Sequence, residues 1–178
     1  MTFSVSPQIS DIILPISFGQ TQAAVQMNLD TRRQAITYLN GGGAIGVFPG
    51  GTVSTSLRPF GLSADPGWRS FTAKLITKSN AKVVPIYFEG QNSRRFQILS
   101  RVHTNLRLGL LINEFYRRTD KPVKIRIGAP ITVADLGAAT RNGQVMMDEL
   151  RTRTYALSGQ MRDYGYEFED IHRRDQKA

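Results

Sequence analysis

The strongest constraint on this fold is the alternation of short apolar runs with segments of helical spacing. Residues 44–48 form an apolar run bounded by glycine and proline, which reads as a buried strand. Residues 82–88 and 123–127 read as two more. Pro85 lies inside the second run and cannot donate a ladder hydrogen bond, so an edge or a bulge is expected there. Residues 12–18 read as a short strand or an extended entry. Between the runs, helical spacing predicts helices over 21–39, 68–79, 91–102, 105–118 and 142–155. Asn40-Gly41-Gly42-Gly43 stops the first, and Asn92 or Ser93 caps the third. Leu106, Leu108 and Leu110 also alternate like a strand, so the fourth segment has two readings. Strands alternating with helices predict an α/β fold, a mostly parallel sheet flanked by helices. The expected organisation is a loose leader over 1–11, one domain over 12–161 and a charged tail over 162–178.

The 178 residues fit a single domain, and a hydrophobic share of 40% is enough for a core. The absence of cysteine excludes disulfides and thiol nucleophiles. No apolar run approaches the ~18 residues of a spanning helix, and the N-terminus lacks the pattern of a signal peptide. Lys and Arg exceed Asp and Glu by 23 to 14. The excess is concentrated in residues 91–128, with 9 basic against 2 acidic. Such a field attracts polyanions: nucleic acid, an anionic bilayer or a phosphorylated substrate.

The long loop over 49–67 begins with the segment Phe48-Pro49-Gly50-Gly51-Thr52-Val53-Ser54-Thr55-Ser56. Adjacent glycines after a strand let a ligand approach the backbone. Successive N–H groups, helped by the hydroxyls of Thr52, Ser54 and Thr55, can form an anion-holding concavity. By spacing alone an ordinary glycine turn fits as well. No Gly-Lys-Ser or Gly-Lys-Thr follows, so this is not a nucleotide phosphate loop.

Phe48-Pro49-Gly50-Gly51-Thr52-Val53-Ser54 resembles the F-P-E-G-T-R-S box of glycerolipid acyltransferases, and Val83-Val84-Pro85-Ile86 resembles that family's later V-V-P box. Pro59-Phe60-Gly61, residues 66–71 and Gly90-Gln91-Asn92-Ser93-Arg94 are similar to its hemolysin-like branch. The likeness covers roughly residues 12–168. It implies an α/β layer beside a membrane-facing groove, and peripheral association with the cytoplasmic face of a membrane. It also implies transfer of a fatty acyl group from acyl-CoA or acyl-carrier protein to a lysolipid hydroxyl, with no cofactor beyond that co-substrate. The substrate-binding residues carried over are Phe48, Pro49, Gly50, Gly51, Thr52, Ser54 and Pro85. Arg58 is near enough in sequence to substitute for the family's phosphate-binding arginine, but reads more readily as a solvated loop charge.

The sequence departs from the family in three places. The family's H-x-x-x-x-D box is absent: five residues beyond His103 is Leu108, and five beyond His172 is Lys177. The chain therefore corresponds to the family's C-terminal portion. Gly50 replaces the glutamate and Val53 the phosphate-binding arginine, which argues against a phosphate-bearing acceptor. Lacking the proton-abstracting pair, the chain by itself is expected to be inactive. The alternative is a non-catalytic lipid- or acyl-binding module. The basic segment over 91–128 reads as a solvated face or as a contact with anionic lipid. Nucleic-acid binding is not expected, because no aromatic stacking platform interleaves with the charges.

Overall fold

The computed structural model describes residues 13–17, 21–99, 101–102, 104–160 and 163–167. The expected leader over 1–11, both histidines and most of the expected tail lie outside them. Helix α1 (Gln22–Asn40) starts where the Thr21 hydroxyl accepts the Ala24 N–H, and it stops at Gly41. Helix α2 (Phe71–Ser79) ends at Asn80 in the left-handed region. Strand β1 (Ile86–Phe88) is followed by α3 (Arg94–Leu99) and α4 (Thr104–Arg118). The Ser93 hydroxyl accepts the Phe96 N–H at 3.2 Å, capping α3, and the two-way reading of residues 105–118 resolves as helix. Strand β2 (Ile125–Ile127) leads into α5 (Val133–Leu136), a 3-10 turn over Gly137–Arg141, and α6 (Gly143–Ala156). The reciprocal Thr132–Asp135 capping box that begins α5 was present in the sequence and went unread. Asn142 caps α6 by accepting the N–H groups of Gln144 and Val145.

The mostly parallel sheet is not what forms. Among the described residues the sheet is two-stranded and antiparallel, pairing Ile86 with Ile127, Tyr87 with Arg126 and Phe88 with Ile125. Two helices, α3 and α4, lie between these strands where a parallel crossover has one. A chain that goes out and back before the next strand re-enters from the end it left, and so runs antiparallel. Residues 44–48 form no strand and join no ladder, and the backbone groups of residues 44–47 bond to no described residue. Pro85 sits just before β1, and its carbonyl accepts the Gly128 N–H at 2.9 Å.

The main core lies where α2 and α6 meet. Ala73 and Ile76 from α2 pack with Met146, Met147 and Leu150 from α6, closed by Trp68, Ile131 and Leu136. Met146, Met147, Leu150 and Thr154 recur at the three- and four-residue steps that keep one helix face inward. A second cluster of Ala64, Tyr87 and Tyr155 joins the inner face of β1 to the end of α6. Helix α1 buries only small residues among those described, Ala24, Thr31 and Ala35. It is tied instead to residues 13–17, where the Thr31 hydroxyl donates to Pro15 O at 2.7 Å and Asn28 exchanges two bonds with Ser17. Residues 163–167 return to the loop, where Tyr166 N–H meets Thr55 O and Gly165 N–H meets Asp65 O. A Cβ on Gly165 would lie 1.8 Å from Ala64 O, so only glycine lets the two backbones approach this closely.

The depth of this core gives a prediction. Met146 is fully buried, whereas Val145 beside it is 51% exposed. Met146→Ala is expected to lower unfolding free energy by about 2–5 kcal/mol and Val145→Ala by less than about 0.5 kcal/mol, as read by denaturant unfolding.

Candidate functional site

The segment over 48–56 turns sharply on leaving the apolar run. Gly51 N–H closes the turn onto Phe48 O at 3.2 Å, and Gly51 stands at φ 64, where a side chain is strained. Pro49 O accepts the Arg69 N–H at 3.1 Å. Gly50 is buried, and a Cβ there would lie 3.2 Å from the Cβ of Asp65. The Ser54 hydroxyl donates to Asp65, and Trp68 Nε1 donates to the same carboxylate at 2.9 Å. Asp65 N–H donates to the Tyr155 hydroxyl at 2.7 Å.

Arginines hold the loop from beneath. Arg107 of α4 is 6% exposed. Its guanidinium donates to Val53 O at 2.9 Å, Thr55 Oγ1 at 3.2 Å and Thr52 Oγ1 at 3.4 Å, and lies 5.5 Å from the centre of the Phe96 ring. Arg101 donates to Ser56 O and stacks on Tyr166. Arg151 of α6 donates to Asp65 O and Asp163 O between the rings of Tyr155 and Tyr164. Planar guanidiniums suit this work, since several fixed donors can serve diverging loop carbonyls. The inward arginines 101 and 107 belong to the segment that sequence reasoning read as a solvated or lipid-facing charge cluster. The anion-holding concavity is also altered. Gly51 N–H is already used, Ser54 is bound to Asp65, and Thr55 is completely buried.

Above this turn opens a groove of about 950 Å³. Ile45, Val47, Phe48, Val83, Pro85 and Phe88 line it, together with Leu75, Ile76 and Leu150 from the core helices. The Phe48 and Phe88 rings approach to 6.4 Å. The groove gathers Phe48, Pro49, Gly50, Gly51, Thr52, Ser54 and Pro85. Arg58 does not line it, and its N–H bonds to Ser56 Oγ within the exposed part of the loop. Asp65, Trp68 and Tyr155 also line it. They were missed because no spacing rule links position 65 to position 155. Ser54, Asp65 and Tyr155 are joined by hydrogen bonds and, with Thr52, give the mostly apolar lining a polar patch. An anion at that patch meets the Asp65 carboxylate, whereas a hydroxyl finds both donors and acceptors; Lys82 also lines the groove. His103 and His172 lie outside the described residues, and no group of metal-ligating side chains occurs among the described ones.

Burial, followed by the neighbouring Asp65, pushes the Tyr155 phenol up to about 12 from 10.0. A phenol that keeps its proton longer in the folded state stabilises the fold fully below pH 10, and that stabilisation is lost as pH rises to about 12. Tyr164 is also shifted upward, by burial first. An ultraviolet difference titration should therefore show late-ionising tyrosine absorbance that falls by one tyrosine in Tyr155→Phe, with unfolding free energy falling over the same window. Gly51→Val is expected to cost about 1 kcal/mol or more in thermal unfolding, because valine is strained at positive φ.

No protein-family model, curated protein or solved structure matches this chain.

Proposed function

We propose that the groove binds the acyl chain of a lysolipid or acyl donor, and that the chain is the acyl-binding part of a glycerolipid-acyltransferase-like protein. The observation that carries this reading is that the Phe48–Ser54 turn and Val83–Ile86 of the second box line one mostly apolar groove. Two sequence boxes tied by resemblance to one acyl-transfer chemistry thus border one groove, although the sheet expected around them is absent. A mostly apolar lining suits an alkyl chain, since each methylene removed from water contributes about 0.8 kcal/mol. The polar patch suits a hydroxyl-bearing, uncharged head better than a phosphate, in keeping with Val53 at the family's arginine position and with the placing of Arg58 outside the groove.

In the parent reaction a base takes the acceptor hydroxyl's proton as its oxygen attacks the thioester carbon, and the thiol leaves. Ser54 on Asp65 has no imidazole between hydroxyl and carboxylate, and the sequence holds no H-x-x-x-x-D box. That absence favours the non-catalytic acyl-binding module for the chain acting alone. The excess positive charge supports a location at an anionic membrane surface facing the cytoplasm. Among the described residues no helix is long and apolar enough to cross a membrane.

Gly46 lines the groove, and a Cβ placed on it meets nothing within 4 Å. Gly46→Phe is therefore expected to fill the groove without disturbing the fold. Titration calorimetry should show saturable binding of a monoacylglycerol below its critical micelle concentration, weakened about tenfold in Gly46→Phe at unchanged melting temperature. Binding of lysophosphatidate should be weaker. Palmitoyl-CoA and a lysolipid together should give no turnover. A chain that binds no monoacylglycerol, or a Gly46→Phe variant that binds it equally well, would overturn the groove assignment.

A further inference from the structure

Helix α4 is amphipathic in the reverse sense. Its inward residues are Arg107 and Glu114, only 6% and 7% exposed, while Leu108, Ile112, Phe115 and Tyr116 are 55%, 60%, 73% and 73% exposed. Positions 107 and 114 share one face by their seven-residue spacing. Positions 108, 112, 115 and 116 share the outer one at steps of four, seven and eight. The inward pair is fully occupied. Arg107 holds the loop, and Glu114 accepts the Ser93 N–H at 2.9 Å. Burial alone would raise the Glu114 carboxyl, but the Ser93 hydrogen bonds, Arg117 and Arg118 outweigh it and hold it below its ordinary value. Core packing thus gives no use for the outer stripe, and Ile98, Leu99 and Val102, just before α4 in sequence, are exposed as well. Exposed basic residues flank it: Arg94 and Arg95 on α3, Arg117 and Arg118 at the end of α4, then Lys121 and Lys124. Asp120 is the one exposed acid over the described part of residues 91–128.

We propose that α4 lies flat in the interface of an anionic bilayer, with Leu108, Ile112, Phe115 and Tyr116 inserted among the lipid chains. Charge complementarity selects the occupant. Nucleic acid would use the arginines and lysines but gain nothing from the bare leucine, isoleucine and phenylalanine. A neutral protein face would cover the stripe and leave the cations without counter-charge. An anionic bilayer answers both, with apolar side chains entering about 5–10 Å and the basic residues attracted to its surface charge. The 15 residues of α4 reach about 22 Å, too short to span the ~30 Å hydrocarbon core, so the helix lies in the plane. The proposal is independent of the groove reading: it concerns the opposite use of a different element, and either can fail alone.

The test is co-sedimentation of the whole chain with vesicles of equal parts phosphatidylglycerol and phosphatidylcholine. Ile112→Ser/Phe115→Ser is expected to weaken partitioning by about tenfold or more at unchanged melting temperature, since both positions are exposed. High salt and pure phosphatidylcholine vesicles should weaken the wild type similarly. A Phe115→Trp variant should show fluorescence quenching by bromine-labelled lipid chains beyond that of the wild type, whose single Trp68 is buried. Equal partitioning of the double variant, or no added quenching from Trp at position 115, would overturn the proposal. So would a wild type that ignores vesicles but self-associates in sedimentation velocity through this stripe, which would make the occupant a second copy.

Discussion

The structure depends on satisfying the carbonyls of a long loop that has almost no ladder of its own. Residues 49–67 make one isolated bridge, Thr55 with Ala64, among the described residues, yet Gly50, Thr55, Ser56, Ser63, Ala64 and Pro66 are buried. A buried carbonyl left without a donor costs as much as a lost hydrogen bond. Backbone N–H groups of Arg69, Gly165 and Tyr166 supply some donors, and three arginines distant in sequence supply others. Arg107 serves Val53, Arg101 serves Ser56 and Arg151 serves Asp65. Removing one partner of such a set leaves a buried polar group unpaired, the expensive half of the hydrogen-bond ledger.

That arrangement turns part of the positive charge inward and so decides what the surface can do. A helix that spends its polar side chains on a loop has its apolar ones left for solvent, and α4 does this. The two-stranded sheet behaves similarly. Tyr87 points in at 6% exposure, while Ile86, Phe88, Ile125 and Ile127 remain 43%, 50%, 49% and 62% exposed. An apolar sheet face and an apolar helix stripe on one small chain exceed what scattered surface hydrophobics explain.

The same ties shape the groove. Arg107 and Arg151 hold the loop from opposite ends, so Asp65, Ser54 and Thr52 are fixed in a groove whose lining is mostly apolar but also includes Thr72, Lys82 and Thr154. A fixed polar patch in a mostly apolar groove recognises a molecule that has one hydroxylated end and one alkyl end. The carboxylate there works against a phosphate by simple Coulomb repulsion. The chemistry of transfer needs a base that the sequence does not pair, which separates the binding of an acyl chain from its movement.

Local signals that act over a few residues were readable from the sequence. Thr21, Ser93 and Asn142 cap helices through their own hydroxyl or amide oxygens, Gly41 ends α1, and Gly51 closes the Phe48–Gly51 turn, all within four residues. The helical spacing of residues 142–155 located α6 and its buried face. Two of the three apolar runs contain the strands, at Ile86–Phe88 and Ile125–Ile127, whereas residues 44–48 form none. Pairing depends on which end of the sheet the chain returns to, and the α3–α4 pair sent β2 back antiparallel and left residues 44–48 alone. The assembly of Ser54, Asp65, Trp68 and Tyr155, the inward turn of Arg101 and Arg107, and the exclusion of Arg58 were decided by tertiary structure alone. A charge in sequence carries no sign of whether it will meet water or a buried carbonyl, and contacts across 90 residues leave no local pattern to read.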